Sequence, residues 1–100
     1  MTEFLIHERW QEGDTTFVSG VVDEGIVKIG SVFNILKRGP ARNPEDETNS
    51  PICLTVTQIV SYGRNFDDLH RGTTGALAIK GSGANQLYHG DFILSTQHSS

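Results

Sequence analysis

The chain contains very little cysteine: Cys53 is the single one among 100 residues. One cysteine excludes an intramolecular disulfide and any zinc site built from several cysteines. The first ten residues carry charges at Glu3, Glu8 and Arg9 and lack the apolar run of a signal peptide. No stretch approaches the length that spans a bilayer. These absences predict a reducing, cytoplasmic location without membrane contact.

Basic residues are also few. Eight Lys and Arg stand against twelve Asp and Glu, which gives a net charge of −4 at pH 7. Proteins that derive their affinity from neutralising phosphates normally have a basic excess, so nonspecific nucleic-acid binding is disfavoured. Apolar residues make up 36% of the chain and charged residues 20%, as expected of an ordinary globular protein. The length predicts one domain over residues 1–100.

Several catalytic motifs are missing. No GxxxxGK[ST] phosphate loop occurs, and the nearest glycine-rich stretch, Gly81-Ser82-Gly83, lacks the lysine and the helix that should follow it. That stretch predicts a structural turn. No serine stands in a GxSxG motif, so a serine hydrolase is unsupported. We therefore expect no GTP binding, no cofactor and no enzymatic activity.

Four histidines are the first candidates for catalysis or metal binding: His7, His70, His89 and His98. Their spacing matches no known metal motif, and we expect them to be exposed. His70 is the exception, because Asp67 and Asp68 precede it closely and a carboxylate can orient an imidazole. A small enzyme or metal protein using His70 with Asp67 or Asp68 is therefore one alternative. The other interpretation of Asp67 and Asp68 is turn or helix-start chemistry.

Short apolar runs bounded by Gly, Asp or Asn predict strands almost throughout the chain. In the first run, Phe4, Ile6 and Trp10 share one face. A change of phase between Val56 and Ile59 predicts a bulge. The predicted strands lie within residues 4–10, 16–22, 26–29, 32–37, 54–60, 75–80 and 92–94.

Two glycines lie inside predicted strands, Gly20 and Gly75. The lack of a side chain there allows the sharp coiling that closes a small barrel, so a barrel is favoured over a sandwich. Residues 65–72 predict one helical turn or a tight loop ending at Gly72. The three prolines all lie in residues 38–51, which predict a mobile surface loop that folding does not require. Residues 95–100 predict a frayed tail.

A longer pattern runs through residues 4–95. It reads Val18-x-Gly20-x-Val22-x-x-Gly25-x-Val27-x-x-Gly30, then Phe33-x-Ile35, Val56, Ile59, Asp67-Asp68, Gly72, Leu77, Ile79 and Gly81, and finally Gly90-Asp91-x-Ile93-Leu94. In order and spacing it resembles the second domain of translational GTPases such as elongation factor Tu. The resemblance implies an all-β fold, a closed six-stranded antiparallel Greek-key barrel.

In that family the barrel helps to hold the aminoacyl end of tRNA, partly through acidic residues. Val60 and Ser61 stand at one of these places in this chain, and His7-Glu8-Arg9 stands near another. The resemblance therefore does not carry tRNA binding with it. The leading hypothesis is a non-catalytic, stand-alone relative of the barrel that binds a protein or RNA partner. A structural subunit of an oligomer is a further alternative.

The resemblance also suggests where a partner would bind, because the loop after the long-loop strand helps to form the substrate-facing side of related barrels. Here that loop is Tyr62-Gly63-Arg64-Asn65. Tyr62 could stack on a partner, and Arg64 could pair with a phosphate or carboxylate. We expect Arg71 and His7 to lie near them and to complete the surface.

Overall fold

The computed structural model describes residues 1–37 and 50–96. Nine strands account for most of these residues: β1 (Thr2–Glu12), β2 (Thr15–Glu24), β3 (Ile26–Lys28), β4 (Val32–Lys37), β5 (Ser50–Ser61), β6 (Arg64–Phe66), β7 (Asp68–His70), β8 (Thr74–Ser82) and β9 (Phe92–Ser95). A short 3-10 turn, Ala84–Gln86, connects β8 to β9. Within the two described ranges no helix is long and apolar enough to cross a lipid bilayer.

Six of the strands close a barrel. Their order is β4–β9–β1–β2–β8–β5, and β5 pairs back to β4, so the ring has no free edge. Each pairing is antiparallel. Neither β2 and β4 nor β8 and β9 are neighbours in the ring, which makes the connections those of a Greek key. The predicted closed six-stranded antiparallel Greek-key barrel is confirmed.

The three remaining strands lie beside the ring. β6 continues the sheet beyond β5, and β3 pairs with β7 in a separate two-stranded ribbon. Residues of the barrel strands that face inward alternate with residues that face out, as a half-buried sheet requires. The buried core consists of Phe4, Ile6, Val18, Val22, Val27, Phe33, Leu36, Ile52, Leu54, Val56, Ile59, Leu69, Leu77, Ile79, Leu87 and Ile93.

Four register shifts interrupt the described pairings of the barrel, and two of them bear on the predictions. The register of β5 against β8 shifts between Val56 and Gln58, which confirms the predicted bulge. The register of β1 against β2 shifts between Ile6 and Glu8, so His7 is an extra residue. A bulge reverses the alternation beyond it. Trp10 is therefore 37% exposed and stacks on Phe17 of β2, and its predicted place on the buried face of Ile6 is wrong.

The region after β5 matches the prediction only at its end, where Arg71 and Gly72 form a tight turn and the amide of Thr73 donates to the oxygen of His70 at 3.0 Å. Residues 65–72 contain no helical turn, because β6 pairs with β5 and β7 pairs with β3. The backbone oxygen of Asp67, between them, accepts a hydrogen bond from the amide of Ile29 at 3.1 Å. Neighbouring strands thus satisfy the backbone groups that a helical turn would satisfy internally.

Both the predicted loop, residues 38–51, and the predicted tail, residues 95–100, include residues that belong to strands. β5 begins at Ser50, so Ser50 and Pro51 of the predicted loop pair with β4. The rest of that loop, residues 38–49, lies outside the described residues, as do residues 97–100 of the predicted tail. Ser95 ends β9 and is buried.

Glu3 on β1 shows an effect of packing on charge. Burial raises the pKa of the Glu3 carboxyl, and the negative charge of Asp23 raises this pKa further, while Lys37 opposes the change. Because the folded state holds this proton more tightly than the unfolded chain does, the free energy of unfolding falls as the pH rises from the usual glutamate pKa through the raised one. At neutral pH the ionised Glu3 is a net cost to folding.

Replacing Glu3 with glutamine is expected to increase the free energy of unfolding at pH 7 and to leave it nearly unchanged near pH 3, where the native carboxyl is already protonated. Urea unfolding at the two pH values measures the difference. Glu8→Gln, an exposed carboxylate on the same strand, is the matched control. Equal gains in the two variants would contradict this account of Glu3.

Candidate binding surface at the β5–β6 hairpin

The β5–β6 hairpin turns through two residues. Ser61 pairs with Arg64, which leaves Tyr62 and Gly63 as the loop. Their φ angles are +52° and +75°, both in the left-handed region, as in a type I′ turn. Glycine adopts this conformation freely, and Asn, Asp or Gly is the usual residue at the first position.

Tyr62 is therefore unusual at this position. It is the one residue other than glycine with positive φ in the described part of the chain, and that conformation costs an L-residue about 1–2 kcal/mol. Its side chain is 89% exposed, so burial does not offset the cost. Residues held in strained backbone conformations cluster at functional sites. Tyr62 is therefore both strained and exposed.

The neighbours of Tyr62 on β6 divide between two faces. Arg64 and Phe66 are two residues apart, so they lie on one face of the strand, and Phe66 is 42% exposed. Asn65 lies on the other face, where its Oδ1 accepts a hydrogen bond from Nε2 of Gln58 at 2.7 Å. This side-chain hydrogen bond links β6 to β5.

The base of the hairpin is anchored to β8. The hydroxyl of Ser61 is buried and donates a hydrogen bond to the backbone oxygen of Thr74 at 2.7 Å. An open cavity of about 480 Å³ lies here, lined by Val60, Ser61, Tyr62, Thr74, Gly75 and Ala76. Arg71 is exposed in the β7–β8 turn, three residues before Thr74. The turn of Arg71 and the hairpin therefore lie at the same end of β8.

His7 does not join this surface. It lies on β1, and the ring order places β2 and β8 between β1 and β5. Its backbone oxygen is hydrogen-bonded to Nδ1 of His89 instead. The predicted surface is therefore divided: Tyr62 and Arg64 share the hairpin, whereas His7 belongs to a different part of the barrel.

The alternative site around His70 has one of its expected contacts. Nε2 of His70 lies 3.3 Å from Oδ1 of Asp68, and both side chains are largely exposed. The side chain of Asp67 is exposed as well. Across residues 1–37 and 50–96, no group of three or more His, Cys, Asp or Glu side chains is arranged to hold a metal ion. An enzyme or metal protein built on His70 has no further support here.

Sequence reasoning missed two exposed aromatic features. Phe66 extends the hairpin surface, and its position two residues after Arg64 is the signal that could have shown this. The second is Trp10, whose ring lies 5.6 Å from that of Phe17 with 9° between the planes. No sequence signal shows that stack, because it depends on the bulge at His7.

Comparison with solved structures supports the fold. The chain is similar to translation elongation factor SelB from Methanococcus maripaludis in its apo form, with a TM-score of 0.72 and 22% sequence identity. The match covers 95% of this chain and 18% of the elongation factor. No protein-family model and no curated protein matches the chain. The structural likeness confirms the translation-factor barrel fold that the sequence pattern implies.

Proposed function

We propose that this barrel is a non-catalytic binding module that engages a protein or RNA partner through the β5–β6 hairpin. The observation that carries the proposal is Tyr62, which is strained at the hairpin tip and almost fully exposed. Arg64 beside it supplies a planar group that pairs with carboxylate or phosphate. The fold likeness to an elongation factor, together with the lack of a phosphate-loop motif in this sequence, supports a binding role without nucleotide chemistry.

The local charges favour a protein over RNA. Arg64 lies on the hairpin and Arg71 in the β7–β8 turn, whereas Asp67 follows β6 and Asp68 pairs with Lys28 of β3, so acidic and basic residues are mixed in this region. RNA binding draws on several neutralised phosphates and is weakened by nearby carboxylates. Tyrosine and arginine are enriched among the residues that dominate the energetics of protein interfaces. An exposed Phe66 on the Arg64 face adds apolar area to such an interface.

Two single variants test the hairpin. Tyr62→Asn places a residue that tolerates positive φ at the tip, so we expect it to raise the free energy of unfolding by about 1 kcal/mol while it abolishes partner capture. Arg64→Ala is expected to abolish capture with little change in stability. Capture is measured with the immobilised chain in extract of the source cell, followed by mass spectrometry, with and without ribonuclease.

The matched control is Tyr88→Ala, an exposed tyrosine that follows β8 and the 3-10 turn and lies outside the hairpin. It should capture the partner as the unmodified chain does. Loss of the captured material on ribonuclease treatment would identify the partner as RNA. Undiminished capture by Tyr62→Asn and Arg64→Ala would place the binding surface elsewhere and refute the proposal.

We also propose that the module is cytoplasmic and works without GTP. The described glycine-rich stretch Gly81-Ser82-Gly83 ends β8 and leads into a three-residue 3-10 turn, whereas a phosphate loop leads into a full helix and carries a lysine. We expect isothermal titration calorimetry with Mg²⁺-GTP to show no binding. Micromolar affinity for the nucleotide would contradict this part of the proposal.

A further inference from the structure

We propose that His7 and His89 form a two-imidazole site for a divalent transition-metal ion, separate from the β5–β6 hairpin. The two residues are 82 positions apart in the chain, and the fold brings their ring centres to 6.3 Å with 33° between the ring planes. Both side chains are exposed, so an ion reaches them from solvent. They line one open cavity of about 410 Å³ together with Glu8, Arg9, Leu87 and Tyr88.

A hydrogen bond leaves one ring of the pair ready to coordinate an ion. Nδ1 of His89 is bonded to the backbone oxygen of His7. A carbonyl oxygen only accepts, so Nδ1 must carry the proton, and in the neutral ring Nε2 keeps its lone pair. Histidines that ligate metals commonly donate their other ring nitrogen to a backbone carbonyl in this way, which sets both the tautomer and the orientation of the ring.

The backbone beneath both rings is held in place. His7 is the extra residue of the β1 bulge, and the strand on either side of it is paired with β2. The loop that carries His89 is tied to the same point, because the amide of Gly90 donates to the oxygen of Ile6 and the amide of Ile6 donates to the oxygen of Asp91, both at 2.8 Å. Rotation of the His7 side chain alone can therefore adjust the distance between the rings while His89 keeps its hydrogen bond.

The distance suits metals that prefer nitrogen ligands. With metal–nitrogen bonds of about 2.0–2.1 Å, two imidazoles on one ion place their ring centres about 5–6 Å apart. The pair needs to close only slightly from 6.3 Å. Imidazole suits zinc, copper and nickel, whereas magnesium prefers oxygen. The charges of Glu8 and Arg9 at the cavity oppose each other, and water would fill the remaining coordination positions.

Titration of the full chain with ZnCl₂, CuCl₂ and MgCl₂ tests the site. We expect the ring proton signals of His7 and His89 to shift with Zn²⁺ and broaden with Cu²⁺ in NMR spectra, with tighter binding of Cu²⁺ by calorimetry and no response to Mg²⁺. His7→Ala is expected to weaken Cu²⁺ binding at least tenfold. His89→Gln is expected to do the same, although its amide can still donate to the oxygen of His7.

His70→Ala is the control, because His70 pairs with Asp68 in another part of the chain. It should leave Cu²⁺ affinity unchanged, and circular dichroism should show that each variant keeps the fold. Binding that is lost with His70→Ala, or retained in both His7→Ala and His89→Gln, would overturn the proposal. So would the absence of any response to Zn²⁺ or Cu²⁺ at millimolar concentration.

Discussion

Replacing Gly20 with alanine is expected to lower the free energy of unfolding by about 3–5 kcal/mol, which is a large part of the stability of a domain of this size. Gly20 lies in β2, paired with Ile6 of β1 on one side and with Gly75 of β8 on the other. A Cβ atom at Gly20 would lie 1.8 Å from the backbone oxygen of Leu5. Because backbone and not a flexible side chain blocks the space, β1 and β2 would have to move apart.

Urea unfolding followed by circular dichroism measures this loss, and Gly30→Ala is the control. Gly30 has a φ of +89°, but no atom lies within 4 Å of the position that its Cβ would take. Its replacement should cost only the backbone strain, about 1–2 kcal/mol. Because the φ of Gly20 is not positive, a loss as small as that of Gly30→Ala would show that β1 and β2 accommodate the added methyl group with little strain.

Replacing Phe33 with alanine is expected to cost about 3–5 kcal/mol, because the cavity left in a close-packed core relaxes only in part. Phe33 is fully buried on β4. That strand closes the barrel, since it pairs with β5 on one side and with β9 on the other. The loss should therefore destabilise the whole domain in one cooperative transition.

Phe66→Ala provides the matched control for the same pair of residue types. Phe66 is 42% exposed on β6, outside the closed ring, so we expect a loss of at most about 1 kcal/mol. Thermal and urea unfolding compare the two variants. A loss for Phe33→Ala as small as that for Phe66→Ala would mean that the β4 side of the core repacks without a cavity.

Much of the barrel could be predicted from local pattern. Alternation of Val18, Gly20 and Val22 predicts one inward face, and all three residues are buried. The phase change after Val56 predicts the bulge that the structure contains. Such features can be predicted because side chains alternate between the two faces of a strand. A change in the alternation of apolar residues is therefore visible in the sequence itself.

The candidate site was predictable in part. The family resemblance placed Tyr62 and Arg64 in the loop after the long-loop strand, and the structure places them at the β5–β6 hairpin. The strain at Tyr62 and its 89% exposure are properties of the folded chain, and the expectation that they serve a partner stays a prediction. The segment after Phe66 could not be predicted from local pattern, because β7 forms its backbone hydrogen bonds with β3, which is distant in the chain.

By itself the sequence determined the all-β class, the approximate positions of the barrel strands, the places where glycine is needed and the absence of a phosphate-loop motif, since these depend on residues close together in the chain. Only the tertiary structure decided that Trp10 faces outward, that His7 leaves the hairpin surface and that His7 meets His89. Each of these depends on ring closure and on the bulge at His7. There, one added residue changes which side of the sheet the following residues of β1 face. A contact between residues 82 positions apart produces no periodic pattern in the local sequence, so local pattern does not predict it.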